Sequence, residues 1–183
     1  MKRLTNVAAL FFSALTAQLS WGAEFSAGTT AGVMQQPTSF YYLASYGAYL
    51  QASSDNERFL LRAIYIERPE FKANGYTDQD YGSFALLGSK LKNWKWHGVY
   101  AFFGYGNMSG FIKTNSDHES SEQKERTYSI DGLSACLEYR MRLGGFDIGI
   151  DHQTFVGSTN QEQLNARVAW PYNFLKLNIG YRI

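Results

Sequence analysis

The last nine residues, "LKLNIGYRI" (175–183), divide without error into two rows: Leu175, Leu177, Ile179, Tyr181 and Ile183 against Lys176, Asn178, Gly180 and Arg182. A period of two belongs to a β-strand, whose side chains point alternately to opposite faces. One row is uninterrupted hydrocarbon and aromatic; the other carries two cations and an amide. That is the division expected where lipid lies outside a wall and a polar interior lies within it.

Working outward, the same division recurs. Phe25, Ala27, Thr29, Ala31 and Val33 oppose Ser26, Gly28, Thr30 and Gly32. Leu133, Ala135, Leu137, Tyr139 and Met141 oppose Gly132, Ser134, Cys136, Glu138 and Arg140. In "GFDIGIDHQTFVG" (145–157), Phe146, Ile148 and Ile150 oppose Asp147, Gly149 and Asp151, and the oily row then continues into His152 and Thr154. Segments 80–91 and 96–112 divide less cleanly.

The pattern predicts eight strands, at 24–34, 39–52, 57–68, 80–91, 96–112, 126–141, 145–156 and 163–183. Three connections are short: "SSDNE" (53–57), "KNWK" (92–95) and "RLGG" (142–145). Two are long and polar, "PEFKANGYTDQD" (69–80) and "KTNSDHESSEQKER" (113–126), with shorter links at "QQPTS" (35–39) and "GSTNQEQ" (157–163). Short turns on one side and longer loops on the other predict an all-β, closed, antiparallel up-and-down transmembrane barrel. Leu164, Ala166 and Val168 lie on even positions while the row from Leu175 is odd. A bulge at Pro171 within one strand accounts for the flip. A turn there, making a ninth strand, is the alternative.

Composition agrees. Lys2 and Arg3, the apolar run Val7 to Ala17, then Ser20 and Gly22 have the order of a secretory leader, too short to span a bilayer. Residues 1–22 are read as that leader and 23–183 as one barrel. The chain's 17 basic residues, less Lys2 and Arg3, leave 15 against 16 acidic ones, a formal charge of −1. That balance has no nucleic-acid footprint. Cys136 is the one cysteine, so no internal disulfide forms. His97, His118 and His152 lack paired ligand spacing, so neither a metal nor another cofactor is expected. "GYGNMSG" (104–110) lacks the spacing of a phosphate-binding loop. Aromatic residues are 16% of the chain. Trp94, Trp96, Tyr100 and Tyr105 are read as interfacial girdle residues, with a ligand groove as the alternative.

An eight-stranded barrel is just wide enough for side chains to fill. The face assignments send Arg62, Arg140, Lys176 and Arg182 inward with Glu138, Asp147 and Asp151. Desolvated charges need partners, so a mutual network that blocks ions is expected.

These alternating strands, with the turn pattern between them, resemble the small eight-stranded outer-membrane barrels, which include OmpA-like and OmpX-like proteins and the lipid A deacylases. The resemblance covers the whole chain after the leader. It implies residence in the outer membrane, insertion by the barrel assembly machinery, a monomer, and contact with outer-membrane lipids and lipopolysaccharide. The deacylases carry a His-x-Ser-Asn motif on the outer wall and a further acidic residue. By that resemblance His152 takes the base position and Thr154 the nucleophile's, Phe155 stands where the Asn would be, and Glu162 is the candidate acid. Both rim residues fall on one face of a strand, about 7 Å apart. An imidazole beside a hydroxyl at that depth is what an acyl-ester hydrolase needs; an anchoring interfacial histidine is the plainer account.

The expected function is therefore a non-porin outer-membrane barrel with a structural or surface-interaction role. The alternatives are a lipid A or phospholipid acyl hydrolase and a soluble periplasmic ligand-binding barrel.

Overall fold

The computed structural model describes residues 24–35, 42–54, 56–73, 76–114, 125–158 and 170–183. Eight strands follow in chain order: β1 (Glu24–Gln35), β2 (Tyr42–Ser53), β3 (Leu60–Ala73), β4 (Tyr76–Asn93), β5 (His97–Thr114), β6 (Glu125–Leu143), β7 (Phe146–Ser158) and β8 (Trp170–Arg182). Each pairs antiparallel with the next, and β8 closes on β1, making one closed barrel. Closure leaves no free sheet edge, the condition for placing strands in a solvent that cannot hydrogen-bond. The expected leader lies outside the described residues.

The rows predicted from alternation face as expected. In β8, Lys176 and Asn178 are buried while Leu175, Leu177, Ile179 and Tyr181 are exposed. In β6, Ser134, Cys136, Glu138 and Arg140 point in; Leu133, Leu137, Tyr139 and Met141 point out. Asp147 and Asp151 point in from β7, next to the outward Phe146 and Ile150. The outer wall is thus apolar and the interior holds most of the buried charge, the inverse of a water-soluble domain.

Two expectations are corrected. The tract 69–80 is not a long loop: β3 and β4 stay paired up to Ala73 opposite Tyr76, with a register shift between Arg68 and Phe71. Pro69 falls in that shift, where its missing N–H interrupts nothing. Polarity suggested a loop, but these polar residues satisfy one another across the ladder: Arg68 Nε donates to Asp80 Oδ2 at 2.7 Å and its Nη1 to Asp78 Oδ1 at 3.1 Å. Nor is there a bulge at Pro171. β7 and β8 pair continuously from Gly157 opposite Trp170 to Phe146 opposite Tyr181, and Pro171 continues the outward odd row. Among the described residues the β8–β1 pairing runs as far as Asn173 opposite Gln35. Residues 163–169 lie outside the described residues.

The poorly dividing strands β4 and β5 are apolar on both faces. Phe84, Leu86, Phe102 and Met108 point inward, opposite the outward Leu87, Phe103 and Tyr105. Glycine makes room for the inward rings: a Cβ at Gly106 would overlap the edge of the Phe84 ring and one at Gly88 the edge of the Phe102 ring. The inward rings form an apolar layer in which Phe84 meets Phe155 and Phe174 edge-on, at centroid separations of 5.6 and 5.8 Å.

Candidate functional site

The interior is sealed in layers. At the end where β1 begins and β8 ends, the turn between β2 and β3 folds up beneath the barrel: the Lys90 N–H donates to the Glu57 carbonyl at 3.1 Å. Glu57 has φ 53°, a left-handed conformation unusual for a residue with a Cβ. This conformation points a charged side chain from a turn into the mouth, where it is buried. Its carboxylate pairs with Lys90 and Arg142 and accepts a 3.0 Å hydrogen bond from the Tyr100 hydroxyl. Tyr100 is therefore no girdle residue. Its even position in β5 points it inward, opposite to Phe103 and Tyr105, and it lies beneath the Arg140 guanidinium, 4.3 Å from its carbon.

Above this lies the charged network expected from alternation. Glu138 Oε2 accepts from Arg62 Nη2 at 2.6 Å and from Arg140 Nη2 at 2.8 Å. Gln51 Oε1 accepts from both arginines, and Asp151 pairs with Lys176 at 3.3 Å and accepts from Asn178 at 2.6 Å. Lys176 also donates to Gln153. Arg182 lies 3.6 Å from Asp147 at the mouth. The aromatic layer follows, and beyond it Arg68 pairs with Asp78 and Asp80. Among the described residues, every buried charge in this column has an opposite partner.

On the outer wall, Trp94, Trp96 and Tyr105 are exposed, as girdle residues are. His97 stacks on Trp94 at 4.7 Å between centroids and lies 5.4 Å from Tyr139, joining the same belt. His118 lies outside the described residues. Among the described residues no three His, Cys, Asp or Glu side chains gather as a metal site would require.

His152 and Thr154 share the outward face of β7. His152 is exposed and Thr154 half-buried. Across the ladders His152 stands between Leu137 of β6 and Leu175 of β8, and Thr154 between Ala135 and Asn173. The Thr154 hydroxyl donates to Asn173 Oδ1 at 3.0 Å. For His152 to take that proton, the hydroxyl must first turn away from Asn173. Phe155 is fully buried in the aromatic layer, so the motif position beside Thr154 faces the interior. Glu162 lies outside the described residues. Sequence reading did not find Asn173, although it stands on the same odd row as Leu175; only the β7–β8 register shows that it meets Thr154.

Solved structures of small outer-membrane barrels have the same fold. The attachment invasion locus protein Ail of Yersinia pestis matches 88% of this chain and 97% of its own, with a TM-score of 0.57 at 11% identity. Neisserial surface protein A matches over the same shares, with a TM-score of 0.56 at 10% identity. A major outer membrane protein from Thermus thermophilus matches 88% of this chain and 100% of its own, with a TM-score of 0.60 at 14% identity. No protein-family model matches the sequence, and no curated protein matches it.

Proposed function

We propose that this eight-stranded barrel resides in the outer membrane as a sealed, non-porin envelope protein with a structural or surface-interaction role. The observation that carries the reading is the inversion of polarity. Leu87, Phe103, Leu133, Leu137 and Ile150 are each more than half exposed, while Arg62, Glu138, Arg140 and Lys176 are buried. Water would penalise that outer wall, and lipid does not. A soluble periplasmic barrel has no use for it. The end of the barrel where β1 begins and β8 ends then faces the periplasm, and the paired ends of β3–β4 and β5–β6 opposite it face outward.

Monomeric closure, insertion by the barrel assembly machinery and contact with lipopolysaccharide belong to this proposal. Ail has been crystallised with the heparin analogue sucrose octasulfate, so one protein of this fold holds an anionic saccharide. The test is cell fractionation with electrophoresis of unheated and boiled samples. The expected result is an outer-membrane protein whose unheated form migrates differently; recovery in the soluble periplasm refutes the proposal.

A second reading, acyl-ester hydrolysis by His152 and Thr154 with Glu162, draws support from their shared place on the lipid-facing row. Mass spectrometry of lipid A from cells with and without the protein tests it. Loss of an acyl chain that reverts with His152→Ala supports hydrolysis, and an unchanged lipid profile refutes it.

A further inference from the structure

The register shows where the outer wall stops being apolar. One outward row crosses the ladders as Ala63, Ala85, Tyr105 and Leu133. Two residues nearer the outward-facing end the row is Tyr65, Ser83, Asn107 and Asp131, and two further it is Tyr46, Glu67, Tyr81 and Ser109. Hydrocarbon gives way to polar side chains at the second row, where Asn107 donates to Asp131 at 2.9 Å and to Ser129 at 2.8 Å. The third row therefore stands at headgroup level, the place of amphipathic rings on a barrel wall.

Glu67 is in the middle of that third row. Partners across a ladder stand about 5 Å apart, so Tyr46 of β2 and Tyr81 of β4 flank it on both sides, with Tyr65 two residues below on the same face. Tyr46 and Tyr65 are exposed, and Glu67 and Tyr81 half-buried. The phenols of Tyr65 and Tyr81 lie within electrostatic range of the carboxylate. Gln79 Nε2 donates to Glu67 Oε1 at 3.0 Å, which holds the carboxylate without neutralising it. The cations nearest in sequence are committed elsewhere, Arg68 to Asp78 and Asp80 and Lys72 to Glu70. Among the described residues no Lys or Arg pairs with Glu67, and none of the three rings stacks on another ring or lies under a cation.

The interior shows what such a set holds. There Arg140 lies 4.3 Å over Tyr100 and Arg62 5.1 Å over Tyr49, and both guanidiniums pair with Glu138. Ring faces and a carboxylate together bind a cation. The outer cluster repeats the rings and the carboxylate, but among the described residues the chain itself supplies no cation to them. Tyrosine faces attract ammonium groups, the more so away from bulk water. A hard divalent metal takes several oxygen ligands, and a single carboxylate is a poor set for one. On a lipid-facing wall at this height the cation at hand belongs to a headgroup. We infer that Tyr46, Tyr65, Glu67 and Tyr81 form an outer-leaflet site for the ammonium of a phospholipid headgroup, choline or ethanolamine. This rests on the outer-membrane reading.

The test refolds the protein in maltoside micelles and titrates it with dihexanoyl phosphatidylcholine. In parallel it uses dihexanoyl phosphatidylglycerol, which keeps the phosphate and loses the ammonium. Amide and tyrosine-ring resonances report binding. Wild type is expected to give saturable shifts at Tyr46, Glu67 and Tyr81 with the choline lipid and none with the glycerol lipid. Glu67→Gln keeps the volume and an acceptor for Gln79, and Tyr46→Leu/Tyr81→Leu keeps an apolar wall, so both fold, which migration of unheated samples verifies. Each should weaken choline-lipid binding about five-fold or more. Equal shifts with the two lipids, or Glu67→Gln binding as wild type does, overturn the site. So do magnesium ion or a lysine-rich peptide shifting these resonances where the choline lipid does not, the first in favour of a metal and the second of a protein partner. Failure of wild type to fold in micelles overturns instead the membrane reading beneath it.

Discussion

Replacing Glu138 by glutamine removes one charge from the interior and almost no volume. The carboxylate accepts from Arg62 at 2.6 Å and from Arg140 at 2.8 and 3.2 Å. With it neutral, the nearest carboxylates are Asp151, 4.0 Å from Arg62, and Asp147, 3.9 Å from Arg140. Gln51 already accepts from both guanidiniums and cannot supply the missing charge. Breaking a buried pair in this way costs about 3–5 kcal/mol, because the stranded cations remain desolvated. The rings act the other way: Arg62 lies 4.2 Å over Phe102 and Arg140 4.3 Å over Tyr100, contacts worth up to about 2 kcal/mol each when desolvated. These persist in the variant, so the lower end is expected, about 3 kcal/mol, a shift of roughly two orders of magnitude in the unfolding constant.

The companion variant Arg62→Met/Glu138→Leu/Arg140→Met removes the whole cluster. Asp151 then keeps Lys176 and Asn178, and Asp147 keeps Arg142 and Arg182. With no charge stranded, it should unfold within about 2 kcal/mol of wild type. Urea unfolding in phospholipid vesicles, followed by the fluorescence of Trp94 and Trp96 on the outer wall, reads both. Glu138→Gln within about 1 kcal/mol of wild type, on the order of the error of extrapolation, refutes the argument. So does a triple variant as unstable as the single one.

In planar bilayers the wild type should show no stable large conductance, since buried, mutually paired side chains and aromatic rings succeed one another from Glu57 to Arg68; reproducible single-channel steps would show the layers to be wrongly placed. Glu57→Ala should cost about 1–2 kcal/mol, less than Glu138→Gln because Lys90 and Arg142 are partly solvated. Glu57→Gly should recover part of that, since glycine accepts the left-handed backbone; equal loss in both variants would mean that the φ of 53° carries no strain. Gly88→Ala should destabilise by about 1–3 kcal/mol through overlap with Phe102, and Phe102→Leu should relieve it in the double variant; additive losses in unfolding would rule out the clash.

Alternation alone determined which face of β1, β6, β7 and β8 turns inward, because there one row is apolar and the other charged or small. From that parity the wall, the strand count and the inward set Arg62, Glu138, Arg140, Asp147, Asp151 and Lys176 were legible. Parity is local: it needs only neighbours along the chain. It failed where both rows are apolar, as at Phe84 and Leu86 against Ala85 and Leu87, and it missed the paired tract at 69–80, whose polar side chains find partners only once Arg68 meets Asp80. The burial of Glu57 was beyond it too, since a turn residue becomes a plug only when Lys90, Tyr100 and Arg142 converge from three other strands. The meeting of Thr154 with Asn173 depends on the β7–β8 register, and its depth on the tilt of the closed barrel. Register, tilt and closure arise from hydrogen bonds between segments far apart in sequence, which is why they were decided by the tertiary structure.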